Sequence, residues 1–168
     1  YDRNPCRVVI LFSGDTGFYS GCKAMYEALT TEMEKGVLQA DVSIRPGISS
    51  IACLASCIGE RYEDALLVSM HGKEVPDLAQ KIRANEKVFL LMSGASDLQA
   101  LGELLIREGL LDCVVTAGFQ LSYQEQEIRT LTPQECLGSH KKGLYSCFIL
   151  NPAPDKAILT PYRGDAAF

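Results

Sequence analysis

Histidine is scarce in this 168-residue chain, with only His71 and His140, and its seven cysteines contain no Cys-x-x-Cys pair. Cys53 and Cys57 would share a helix face, but they lack the further ligands of a tetrahedral metal centre, so no metal is expected. An odd number of irregularly spaced cysteines also argues against a disulfide framework and suits a reduced, intracellular, cytoplasmic protein. No apolar run approaches the ~20 residues of a membrane span, and no basic-apolar-small pattern marks a secretion signal. A basic excess is missing as well: residues 1–73 carry 7 basic and 9 acidic side chains, and residues 74–168 carry 9 and 12. Neither nucleic acid nor a membrane is therefore an expected partner. The chain begins with Tyr1 and not Met, so it reads as an excised piece.

What remains is an ordinary apolar content of 47% against 22% charged residues, enough for a core. Short β-rich runs at 6–12, 40–45, 65–70, 87–92, 112–117 and 144–150 alternate with helical patterns. Phe18, Cys22, Met25, Leu29 and Met33 form one helical stripe, with Gly36 placed to stop it. Ser49 or Ser50 opens a second helix carrying Ile51, Leu54, Ala55 and Ile58. A third starts at Ser96, with Gln99 in capping-box position, and runs until Gly109. Such alternation predicts an α/β fold with a mostly parallel sheet. The Gly- and Pro-containing segment His71–Pro76 is read as the boundary between two lobes, 1–73 and 74–152. The Pro-rich end, 153–168, reads as a linker.

Two loops carry the chemistry. Ser13-Gly14-Asp15-Thr16-Gly17-Phe18-Tyr19-Ser20-Gly21 follows an apolar run, where open α/β folds place ligands against backbone N–H groups. Asp15 can contact a ligand's hydroxyls or amine, or cap the following helix. This is neither a Walker loop, which needs Lys-Ser/Thr, nor G-x-G-x-x-G. Ser13 and Ser20 lack the His and Asp partners of a serine hydrolase. The second loop, Arg45-Pro46-Gly47-Ile48-Ser49-Ser50, is explained by a plain strand-to-helix turn, yet its expected place beside the first has both loops bordering one crevice.

These loops, with Val68-Ser69-Met70-His71-Gly72-Lys73, Leu90-Leu91-Met92-Ser93-Gly94 and Ala117-Gly118-Phe119-Gln120-Leu121-Ser122-Tyr123, resemble the tetrapyrrole (corrin/porphyrin) methylases over residues 7–150. Gly-Phe-Tyr after the first loop and Ser-x-His-Gly downstream are most similar to the branch that methylates C5 of a precorrin in cobalamin biosynthesis. The resemblance implies a two-lobed α/β fold truncated in its N-terminal lobe, since no Gly-Pro-Gly-Asp loop precedes Arg7. It also implies S-adenosylmethionine, released as S-adenosylhomocysteine, in the cleft between the lobes, and a precorrin substrate. Carried over, Gly14, Asp15, Thr16 and Phe18 line the methionine and ribose pocket, and Ser49, Ser50 and Ile51 form another wall. Leu91, Met92, Ser93 and the turn Ala117-Gly118 hold the adenine, largely through backbone groups.

Thr16 stands where the family usually has Pro. Met70 and Lys73 replace the branch's Leu and Arg, and Lys73 cannot form Arg's bidentate fork on a carboxylate. Tyr162–Phe168 resembles the lead-in to a fused domain that methylates C15 and removes an acetate carboxyl, and a homodimer is implied by the family alone. Methyl transfer to an electron-rich carbon asks mainly for alignment. No catalytic residue is assigned; Asp15 and His71 are the candidates, and His71 could instead meet a substrate carboxylate. The competing readings are a relative acting at another ring position or on a non-tetrapyrrole substrate, and an inactive nucleotide-binding fragment.

Overall fold

Ten elements follow one another along residues 6–72, 74–155 and 157, which the computed structural model describes. They are α1 (Cys22–Glu34), α2 (Ser50–Ile58), β1 (Leu66–Ser69), α3 (Leu78–Ala84), β2 (Lys87–Met92), α4 (Ala95–Arg107), β3 (Val114–Phe119), β4 (Glu127–Leu131), α5 (Pro133–Cys136) and β5 (Tyr145–Leu150). The chain divides into two compact units, Tyr1–Ser50 and Ile51–Phe168. Lys73, Tyr162–Phe168 and most of the expected linker lie outside the described residues.

In the first unit α1 is the sole regular element among the described residues. It ends as its sequence predicts: Gly36 takes φ 72° and donates to Met33 O at 3.0 Å, while Val37 N–H reaches back to Glu32 O at 3.0 Å. The strands expected at 6–12 and 40–45 do not form. Val8, Val9 and Leu11 face solvent, Leu11 at 87% exposure. Strand propensity is realised only when a neighbouring chain takes up the backbone groups, and these two runs have no ladder partner among the described residues.

The second unit holds one five-stranded sheet in the order β1-β2-β5-β3-β4. Only β1 and β2 run parallel; β2–β5, β5–β3 and β3–β4 are antiparallel. The expectation of a mostly parallel sheet is thus corrected. Its source is the 120–126 connection, which returns β4 directly alongside β3, and β5, which inserts between β2 and β3. β1 also ladders to β2, with Ser69 opposite Leu91. The His71–Pro76 segment is therefore a connection inside the second unit, and the observed division falls at Ser50–Ile51.

Strand alternation sorts the core into two faces. Val88, Leu90 and Met92 of β2, Val115 and Ala117 of β3, and Cys147 and Ile149 of β5 join Leu98, Leu101 and Leu105 of α4 in one buried cluster. Phe89 and Phe148 alternate to the other face, opposite each other in register, with ring centroids 5.2 Å apart. Lys87 is buried at 8% exposure, and its ammonium is satisfied by Glu60 and Asp64, each at 3.1 Å, and by Arg61 O at 2.7 Å.

Helix starts depart from the sequence pattern in one instructive way. The capping box expected at Ser96 and Gln99 is absent: α4 begins at Ala95 after Gly94, without a side-chain cap bond. Instead Asp97 accepts the Ser93 N–H at 2.6 Å, and Gln99 donates to Ser139 O at 2.7 Å. A capping box forms at α5, where Thr132 Oγ1 accepts from Glu135 N, Glu135 accepts from Thr132 N, and Pro133 opens the helix. Thr132→Ala should cost about 1 kcal/mol, read as a lower urea midpoint, and Thr132→Ser should restore most of it. An unchanged midpoint in the alanine variant would show that the box contributes nothing.

Candidate cofactor site

In the first unit the two glycine loops meet. A Cβ on Gly47 would stand 2.2 Å from Gly14 O and 3.0 Å from Gly14 C, so the backbones touch where only hydrogen fits. Gly14 itself takes φ 75°. Thr16 Oγ1 donates to Arg45 O at 3.3 Å, a second tie between the loops. Asp15 does not cap α1, whose N-cap, Gly21, receives no side-chain bond. Its Oδ1 accepts the Gly17 N–H at 2.6 Å and closes an Asx turn. Its other oxygen carries no hydrogen bond among the described residues. The loops expected to border one crevice are thus brought together, with a glycine-lined backbone surface and a half-buried carboxylate beside it.

Ser49 precedes α2, Ser50 opens it, and Ile51 is buried at 2% exposure. Leu91 and Met92 close β2; Met92 is 1% exposed, so its side chain also belongs to the core. Ala117 and Gly118 lie inside β3, paired on both sides by β4 and β5, and not in a turn. The sheet consumes their backbone groups, so any contact they make is through a surface. The turn that follows is held by Tyr123 N–H to Gln120 O at 3.0 Å and Ser122 N–H to Gln126 Oε1 at 2.7 Å.

At the carboxyl ends of the parallel pair, His71 follows β1 and Ser93 follows β2. His71 Nδ1 lies 3.4 Å from Ser93 Oγ, and Gly72 N–H donates to that oxygen at 3.3 Å. Sequence reading names both residues without joining them; the register Ser69 opposite Leu91 does so.

A cavity of about 180 Å³ opens on the helix-covered face of the sheet, lined by Leu98, Ala117, Phe119, Arg129, Lys141 and Tyr145 among others. Apart from Ala117, sequence reading assigned none of these residues to a site. The available signal was alternation, since Ala117, Phe119, Arg129 and Tyr145 share a face through β3, β4 and β5 pairing. The Lys141 ammonium pairs with Glu127, holds that carboxyl below the usual carboxylate range, and stands 5.6 Å from the Phe119 ring centre. Burial pushes the Tyr145 phenol up. It also pushes the Cys113 and Cys136 thiols up to about 11 and Cys147 well above the ordinary thiol range, so these thiols are not nucleophiles at neutral pH.

The family of tetrapyrrole (corrin/porphyrin) methylases matches residues 3–136. The chain belongs to this family. It is 29% identical over 169 residues to the decarboxylating precorrin-6Y C(5,15)-methyltransferase of a Sinorhizobium species. The match takes in 99% of the chain and 39% of the relative, so the chain spans about two fifths of that protein's length. Its fold is similar to that of the methyltransferase CobJ, with TM-score 0.60 and 17% identity over 83% of this chain and 62% of that one. It is also similar to the uroporphyrin-III C-methyltransferase of Thermus thermophilus complexed with S-adenosylhomocysteine, with TM-score 0.55 and 19% identity over 81% of this chain and 62% of that one. At those identities the likeness is one of fold. Members of the family use S-adenosylmethionine. Among the described residues, no helix is long and apolar enough to cross a membrane.

Proposed function

We propose that this chain is part of an S-adenosylmethionine-dependent C-methyltransferase that acts on C5 of a precorrin in cobalamin biosynthesis. The observation that carries the reading is the Gly14–Gly47 apposition, a backbone cradle that a single Cβ would fill, with Asp15 beside it. The 29% identity along 99% of the chain supports the C5 branch. The same reading makes the parent a cytoplasmic homodimer fused to a C15-methylating, decarboxylating domain.

When bound, the cofactor supplies an electrophilic sulfonium methyl group. The chain's own residues bind and orient. In the first unit Gly14 and Gly47 permit close approach, Thr16 ties the loops, and the second Asp15 oxygen accepts from a ligand amine or hydroxyl; Phe18, Ser49 and Ser50 complete that unit's contacts. Of the second unit's cofactor contacts that the family resemblance implies, Ser93 is exposed and Leu91 half-buried, whereas Ile51, Met92 and Ala117 are buried and Gly118 is engaged in the sheet. Placing two reactants in near-attack geometry accounts for several kcal/mol of barrier without a nucleophilic side chain, on the order of 7–11 at best.

Calorimetry with S-adenosylhomocysteine tests the reading. The wild-type chain should bind, and Asp15→Ala should weaken binding at least tenfold, about 1.4 kcal/mol. Asp15→Asn keeps the acceptor for Gly17 N–H but not the charge, and should fall between the two. Equal affinity in all three would remove Asp15 from the site, and no binding by the wild-type chain would count against cofactor use by this piece.

A further inference from the structure

The Ser93 hydroxyl is held on both sides. Its backbone N–H goes to Asp97 Oδ2 at 2.6 Å, fixing the start of α4, and its Oγ accepts the Gly72 N–H at 3.3 Å. The His71 backbone is fixed in turn by donation to Ser69 Oγ at 3.3 Å. A serine hydroxyl carries one proton. Among the described residues, the acceptor within reach of that proton is His71 Nδ1, at 3.4 Å. With Nδ1 accepting, a neutral imidazole must carry its own proton on Nε2. Both side chains are exposed beyond the carboxyl ends of β1 and β2, the one parallel pair, where open α/β sheets bind ligands.

We propose that Ser93 is a positioning residue that holds His71 as its Nε2–H tautomer, so that the ring offers a neutral N–H donor to an acceptor oxygen of the ligand and does not serve as the reaction's base. Nδ1 is turned to the Ser93 hydroxyl, and the nitrogen left to face the ligand, Nε2, carries a proton and so has no lone pair with which to take one from it. The ligand-donor role rests on the proposed function, whereas the tautomer does not. Among the described residues, the ionisable group hydrogen-bonded to this cluster is Asp97, which is engaged with the Ser93 N–H.

Two histidines in the whole chain make the test direct. Two-bond 1H–15N correlation on the 15N-labelled chain at about pH 8, above the ordinary imidazole pKa of ~6.5, gives two ring patterns, assigned with His140→Gln. The His71 pattern should be that of an Nε2–H tautomer, shift to a mixture in Ser93→Ala, and return in Ser93→Thr. An Nδ1–H pattern, or one unchanged by Ser93→Ala, overturns the proposal. In the full-length protein, His71→Gln keeps an amide N–H near the Nε2 position without basicity. It should recover at least tenfold of the methyl transfer lost in His71→Ala, and equal loss in both overturns the donor role. Absence of both methyl transfer and S-adenosylhomocysteine binding in the wild type would instead defeat the proposed function, and the tautomer result would still decide the Ser93–His71 pairing.

Discussion

Replacing Gly47 with alanine should lower the affinity for S-adenosylhomocysteine by about a hundredfold while leaving the sheet of the second unit intact. The added Cβ would sit 2.2 Å from Gly14 O, 3.0 Å from Gly14 C and 3.5 Å from Asp15 Cα, all backbone atoms that cannot rotate away. Carbon and oxygen need well over 3 Å, so one loop must move by about 1 Å. A displacement of that size at a binding constellation costs on the order of 10²-fold. Gly47 is not among the glycines with positive φ, so the penalty is contact and not backbone strain. The same change disturbs the Thr16 tie to Arg45 O and the Asx turn of Asp15, two residues from the contact point. Calorimetry reads the affinity, and far-UV circular dichroism checks that the second unit is unchanged. An affinity within twofold of wild type would mean that the Gly14–Gly47 surface does not hold the cofactor.

Gly102→Val should remove about 3 kcal/mol of stability, near the upper end of what overpacking costs. Gly102 is buried in α4, and a Cβ there would lie 2.6 Å from Pro133 O, 2.9 Å from Cys136 Cβ and 3.3 Å from Leu137 Cδ2. Leu137 can rotate, but the Pro133 carbonyl and the Cys136 Cβ belong to α5 and move only with it. A mid-helix glycine normally costs about 1 kcal/mol relative to alanine, so its presence here marks a helix contact that overrides propensity. For a chain of this size the loss corresponds to a melting temperature lower by roughly 6–12 °C. Gly109→Ala is the control: it sits at φ 70° with open space around its Cβ position, so any cost there is conformational alone. A Gly102→Val chain that melts with the wild type would show that α4 and α5 are not packed at this point.

Much of the architecture was legible because it depends on neighbours in sequence. β2 has its predicted bounds, Lys87–Met92, since its apolar run is continuous; α1 and α4 each end just before a predicted stop, Gly36 and Gly109, both at positive φ. Short or charged elements were not legible. α3 buries only Leu78 and Ile82, too few for a helical period to show, and β4 reads Glu-Ile-Arg-Thr-Leu, a strand whose partner supplies the reason for its conformation. The runs at 6–12 and 40–45 carry the opposite lesson, with apolar composition and no ladder among the described residues.

The sequence by itself marked the candidates for a cofactor: the glycines of two loops, Asp15 as a ligand contact or a helix cap, and a family resemblance over residues 7–150. Composition and short-range spacing suffice for this because turn chemistry and helix stops act within a few residues. Only the tertiary structure decided that Gly47 closes on Gly14, that Ala117 and Gly118 are strand and not turn, and that Ser93 reaches His71 across a parallel register. Strand partners and their directions are set by long-range burial and backbone pairing, which side-chain periodicity along one segment does not encode.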